Sequence, residues 1–479
     1  MRTLIALAMV GLLATASRGG EKPLVWPQFR GADGSGAAKG QKPPVKFGPD
    51  KNVKWKVPAP PGMSSPIIAG DNLVITAFEG GKLYTIAYDR ATGTEAWRAE
   101  APAKKIEPFH KTESSPASST PTTDGKRIVS YFGSCGLFCY DLAGKELWKY
   151  ELPMAVLFGN FGSGVSPIIA DDTVVLLRDE SKESKIIAVD LATGKLRWEK
   201  KRLSPVSYGT PVVWNTPNGK EIVAPGHGRL VSYDLKTGVE KWFVAGMPSA
   251  CCSSPATAEG LLLFAGQSGG DASDKDFKMP TFDDLLKLLD KDGDGAISRE
   301  EAQNSQLKDF FDHQDANMDG KITRDEWDNI MKFMAEGKNS AFAVKAGGKG
   351  DVTKSHVLWK KTKGMPYVTS ALAYRGQYIM VKDGGVVTAL DVKTGKEVYK
   401  ERVAAAGKYY ASPVAANGNI YFVTLGDGIV TVVKAGTNPP EVLATNPPLN
   451  ERVASTPAIA DDTLYIRTVG HIYAFAEKK

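Results

Sequence analysis

Two stretches of this chain carry residues at spacings that could do chemistry: "DKDGDGAISREE" from Asp290 to Glu301 and "DANMDGKITRDE" from Asp315 to Glu326. In the first, Asp290, Asp292 and Asp294 fall at alternate positions one, three and five. Gly295 stands at six, where the backbone must turn sharply, and Ala296 offers its carbonyl at seven. Ser298 follows at nine, and Glu301 at twelve is long enough to supply two oxygens. The second loop repeats the pattern with Asp315, Asn317, Asp319, Gly320, the carbonyl of Lys321, Thr323 and Glu326. A hard cation taking about seven oxygens asks for carboxylates and carbonyls at these spacings, so the loops read as a calcium-binding pair holding two ions. Ile297 and Ile322, both at position eight, are expected to join the loops as a short β bridge.

Other reactive side chains are sparse. Cys135, Cys139, Cys251 and Cys252 are the cysteines, and His110, His227, His313, His356 and His471 stand isolated, none in a paired metal spacing. No phosphate-cradling glycine loop is present. No catalytic residue is assigned.

The elements that position the calcium loops come from an internal repeat. "AYDRATGTEAW" (Ala87 to Trp97), "CYDLAGKELW" (Cys139 to Trp148), "AVDLATGKLRW" (Ala188 to Trp198), "SYDLKTGVEKW" (Ser232 to Trp242) and "ALDVKTGKEVY" (Ala389 to Tyr399) are one unit: a strand, a turn and the start of another strand. Its Asp can bond the turn backbone, its Gly supplies a positive φ, and its aromatic meets the neighbouring sheet. A second mark recurs at Pro66, Pro121, Pro167, Pro211, Pro255, Ala371, Pro413 and Pro457, each preceded by two small residues, mostly Ser or Thr. The gaps are 55, 46, 44, 44, 116, 42 and 44 residues. A period in the forties with four strands per unit predicts an all-β, eight-bladed β-propeller. The last unit has room for three strands only, so "NVKWKVP" (Asn52 to Pro58) is expected to close it and remove the exposed edges.

These units resemble the pyrroloquinoline-quinone (PQQ) enzyme repeat, found in quinoprotein alcohol dehydrogenases and in the outer-membrane assembly factor BamB. The resemblance covers the chain from "WPQFRG" (Trp26 to Gly31) to the C-terminus, apart from the long gap. It implies a propeller and leaves function open between redox enzyme and scaffold. The gap is filled by the calcium loops, which resemble an EF-hand pair with short intervening helices, because the loops start 25 residues apart. Phe282, Leu285, Leu286 and Leu289 precede the first loop; Leu307, Phe310 and Phe311 precede the second; Trp327, Ile330, Met331 and Met334 follow it. A hairpin whose strands are already held together can carry such a module at low cost in loop closure. The adjacent Cys251 and Cys252 resemble the vicinal disulfide of PQQ alcohol dehydrogenases, but the calcium-ligand and catalytic-base pattern of those enzymes does not map onto this chain.

The first residues read as an export signal: Arg2, an apolar run from Leu4 to Leu13, and "ATA" before a cut near Ala16. No cysteine lies near the cut to take a lipid, and no other segment is apolar enough to span a bilayer. The net charge is +6, yet residues 271–336 carry 18 acidic and 9 basic side chains, an acidic module in a basic body. The basic residues are scattered among turns, which excludes nucleic acid as a partner. The sequence therefore predicts a signal peptide at 1–16, an N-terminal extension at 17–51, propeller at 52–270 with 52–58 closing the last blade, an EF-hand insert at 271–338, and propeller at 339–479. The expected function is a periplasmic or secreted calcium-binding scaffold whose propeller face meets a protein or envelope polymer. A PQQ-dependent oxidoreductase ranks second.

Overall fold

The computed structural model describes residues 25–181, 183–267, 280–315 and 317–478. The expected signal peptide, the start of the insert, and the side chains of Phe310, His313 and Met334 lie outside the described residues.

Each repeat folds into four antiparallel strands, and eight such sheets stand in sequence order. In the first blade they are β1 (Ile67–Ala69), β2 (Asn72–Glu79), β3 (Lys82–Asp89) and β4 (Glu95–Ala101). The inner strands are buried and largely apolar, as in Thr173–Arg178, where every residue is buried, because each lies between two neighbouring sheets. The outermost strands are more exposed, as in "ELWKYE" (Glu146–Glu151), where Trp148 turns inward between the exposed Leu147 and Lys149. The eighth blade closes as expected: Val53–Pro58 pairs antiparallel with His471–Phe475.

The proline-associated marks have a physical reason that residue types alone do not reveal. In each blade the backbone N–H before the mark's last residue donates to the hydroxyl at the same place in the next blade. Ser65 donates to Thr120, Thr120 to Ser166, Ser166 to Thr210 and Thr210 to Ser254. Ser254 then donates to Ser370, Ser370 to Ser412, Ser412 to Thr456, and Thr456 returns to Ser65. Eight bonds of 2.8–3.2 Å thus form a closed circle of buried residues around the ring axis.

A second set of inter-blade contacts lies farther out. The indoles of Trp55, Trp97, Trp148, Trp198 and Trp359 donate to the backbone carbonyls of Arg90, Leu142, Leu191, Leu235 and Val392 in the following blade's turn, at 2.9–3.1 Å. The turn's glycine lies flat under the indole: a Cβ on Gly238, whose φ is +68°, would come within 2.4 Å of the Trp198 ring. Trp242 departs from this pattern because the fifth blade has a longer connection there instead of the short turn. Its indole turns into its own blade and donates to Glu221 at 2.8 Å, while Gly350–Asp351 adds a parallel strand beside Trp242 and Phe243.

Residues 25–51 are an integral part of the ring and not merely an extension. Trp26 is fully buried, and its carbonyl accepts from Ile68 of the first blade at 2.8 Å. Pro27 reaches the second blade, and the buried Arg30 donates to the Ala371 carbonyl at the sixth. Ala37–Ala38 pairs in parallel with Ala415–Ala416 of the seventh. The segment crosses the turn side of the central channel.

Candidate metal centre and the hairpin face

The insert joins Leu261–Gly266 to Ser340–Lys345, the second and third strands of the fifth blade, which pair directly. It therefore projects from the hairpin side of the ring, opposite residues 25–38. Its core contains Phe282, Leu285, Leu289, Ile297, Leu307, Phe311, Ile322 and Trp327, with Leu286 and Met331 packed on it. The helix Phe282–Leu289 starts at a capping box between Thr281 and Asp284, and the exit helix of the second loop runs Arg324–Glu336. Ile297 pairs with Ile322, as the sequence predicts.

The two loops have similar internal bonding, sharing the bonds from positions six to one and seven to five. Asp290 accepts from the backbone N–H of Gly293 at 2.7 Å and Gly295 at 3.1 Å; Asp315 accepts from Asp319 at 3.1 Å and Gly320 at 2.9 Å. Asp294 is bonded by the N–H of Ala296, and Asp319 by that of Lys321, both at 2.9 Å. Glu301 and Glu326 fold back over their loops and accept from Lys291 and Asn317. Asp290, Asp292 and Asp294 each bring a carboxylate oxygen within 4.8 Å of the others. Convergent carboxylates held by backbone amides, with no soft or nitrogen ligand among them, fit a hard cation such as calcium. The hydroxyls of Ser298 and Thr323 accept from the backbone N–H groups of Glu301 and Glu326, capping the exit helices, and donate to the same residues' carboxylates.

The electrostatics of the loops differ. Hydrogen bonds from the Ser298 and Lys291 amides draw the Glu301 carboxyl down to about 2. Asp294 is lowered chiefly by the Lys321 ammonium, which reaches across from the second loop to its Oδ2. Asp315 is raised instead, because burial disfavours its charge.

Beside the insert, the hairpin face carries two features outside the loop pattern. One is the vicinal cysteine pair. All four cysteines are free thiols; Cys251 is buried and points at the carbonyls of Gly226 and Pro248, at 3.2 and 3.5 Å. Burial pushes Cys252 up to about 12, which keeps the thiol protonated and a poor nucleophile. The other is the long connection between the first two blades, which crosses the channel mouth. Its root is Glu107, 1% exposed, whose backbone N–H donates to Ser134 and whose carboxylate accepts from the Ser163 hydroxyl at 2.8 Å. Its far end meets the seventh and eighth blades, where Glu113 accepts from the Tyr410 hydroxyl and the Thr112 carbonyl from Arg452.

The sequence matches the family described as outer membrane protein assembly factor BamB over residues 81–270 and 350–478. The chain belongs to that BamB family. The insert matches the EF hand over residues 282–303 and 307–331. Among solved structures, BamB from Moraxella catarrhalis superposes with a TM-score of 0.54 at 13% identity, covering 88% of this chain and 98% of that one. The computationally designed Ika8 protein gives 0.54 at 11%, covering 91% and 100%. The C-terminal WD40 domain of Sif2 gives 0.52 at 12%, covering 91% and 99%. At these identities the likeness is one of fold. No protein of curated function matches this sequence significantly.

Single residues in connections escape sequence reasoning, because they belong to no repeat. Asn160, His227 and Phe333 join the insert to the ring, and the side chain of Lys321 joins the two loops. Lys321 alone carried a signal, a basic residue inside an acidic loop.

Proposed function

We propose that this BamB-family propeller is an exported scaffold of the cell envelope that binds two calcium ions in its insert and a protein or envelope polymer on its hairpin face. The observation that carries the reading is the pair of loops with similar internal bonding, set on that face. Asp290, Asp292, Asp294, Ser298 and Glu301 would hold one ion and Asp315, Asn317, Asp319, Thr323 and Glu326 the other, and bound calcium would neutralise their carboxylates. Carbonyls of Ala296 and Lys321 complete the sets. Export follows from the character of residues 1–16 and is part of the proposal.

Binding is preferred to catalysis because Cys251 is a buried and Cys252 a half-buried free thiol, both held protonated by desolvation and poor nucleophiles. The full chain should capture the same envelope component repeatedly, and more of it with calcium than with chelator. Stoichiometric PQQ uptake with dye-linked alcohol oxidation, lost in a Cys251→Ser, Cys252→Ser variant, would replace the scaffold reading with the oxidoreductase one.

A further inference from the structure

Asn160 lies in the connection between the second and third blades, and its side-chain amide donates to the backbone carbonyl of Asp315 at 3.3 Å. Asp315 opens the second calcium loop. One residue thus carries both a contact to the ring and the loop's first carboxylate. The short helix leading into it, Phe311–Gln314, packs on the turn Phe158–Asn160. Asp315 is only 1% exposed, whereas Asp290, at the same place in the first loop, is partly open to solvent.

The far end of the second loop is also held. Phe333 of its exit helix packs against a seat of Ala155, Leu157 and Val206, together with Tyr208 and Ala250. His227, in a hairpin of the fourth blade, stacks on the Phe333 ring at 4.7 Å and bonds Glu336 at 2.9 Å. Beyond the helix, the Lys338 N–H donates to the Met247 carbonyl at 2.9 Å. The ring therefore grips the second loop on both sides.

We infer that calcium binding in the second loop and docking of the insert on the hairpin face form one coupled equilibrium, with Asn160 as the ring's contact to the loop and Phe333 as the anchor. The inference rests on the calcium reading above. Without a cation, Asp315, Asp319 and Glu326 repel one another, and the loop loosens the two segments that touch the ring. A cation draws them into the arrangement in which the Asp315 carbonyl meets Asn160 and Phe333 meets its seat. Coupling of this kind is reciprocal: docking must raise calcium affinity by the factor by which calcium favours docking. Calcium would then control whether Leu157, Val206 and Ala250 are covered by the chain's own helix or open to a partner.

The test combines calorimetric calcium titration with amide hydrogen exchange on the full chain. Asn160 has a left-handed backbone, φ 57°, so Asn160→Gly removes the amide without backbone strain. Calcium should slow exchange at 153–161 and 204–208 in the wild type, and this protection should vanish in Glu326→Gln. Asn160→Gly and Phe333→Ala should each weaken one of the two calcium sites about five-fold or more and leave the other unchanged. Calcium binding with unchanged exchange in the ring segments, or with undiminished affinity in both variants, overturns the coupling alone. A wild type that takes up no calcium overturns the calcium reading and the coupling with it.

Discussion

The ammonium of Lys321, at position seven of the second loop, is paired with Asp294 at position five of the first. A side chain of one site therefore lies in the other, and a cation entering the first loop meets a positive charge beside one of its ligands. Lys321 and Asp294 are both open to water, so solvent screens the pair and keeps it weak. Lys321→Met should raise calcium affinity of the first site by up to about five-fold at low salt, with the gain shrinking as ionic strength screens the pair. Titrations at two salt concentrations check this; an affinity that falls on substitution contradicts it.

Removing a position-twelve carboxylate should silence one loop at a time. Glu301→Gln and Glu326→Gln are each expected to reduce the stoichiometry from two ions to one, because each removes a bidentate ligand. The double variant should show no calcium heat, and undiminished uptake by it would refute the ligand assignment.

Glu107 predicts a pH dependence in the ring. Burial pushes its carboxyl up to about 7, against the pull of the Ser163 bonds and the Arg178 charge, with Glu180 adding to the rise. Between the unfolded value near 4.5 and the folded value near 7, the folded chain holds the proton and the unfolded chain does not. Stability therefore falls as pH rises through that window, by about 3 kcal/mol as an upper order of magnitude. Glu107→Gln should flatten the slope and leave the variant more stable than wild type at pH 8. Denaturation midpoints measured from pH 4.5 to 8 decide it, and an unaltered slope would place the titrating group elsewhere.

Thr120→Val keeps the shape of one residue in the circle of hydroxyl bonds and strands the buried Ser65 N–H. A loss of about 1–3 kcal/mol is expected, the cost of an unsatisfied buried donor. A thermal midpoint unchanged from wild type would mean that the circle contributes little to the ring.

The fold was largely legible because every blade solves the same packing problem with the same residues. A turn needs Asp and Gly, an indole needs a flat glycine to lie on, and a blade start needs a small hydroxyl, so the period is written in types such as Asp190, Gly194 and Trp198. The calcium loops were legible for a similar reason: coordination fixes both residue type and spacing. What stayed hidden depends on pairings between distant single residues. The partner of Ser65 is 55 positions away and that of Asn160 is 155 positions away, and no local pattern marks either. Residues 25–38 read as a plain extension because they follow the contours of other blades and repeat nothing.

The eighth blade has a consequence for biosynthesis. Val53–Pro58 finds its partner in His471–Phe475, so a strand made early waits for one made more than 400 residues later. At about 5–20 residues per second, that interval lasts on the order of 20–80 s on the ribosome. Throughout it the nascent Val53–Pro58 strand, with Trp55, has an unpaired edge that is open to other chains. A cell making this protein has to shield that strand for most of the time the chain takes to be made.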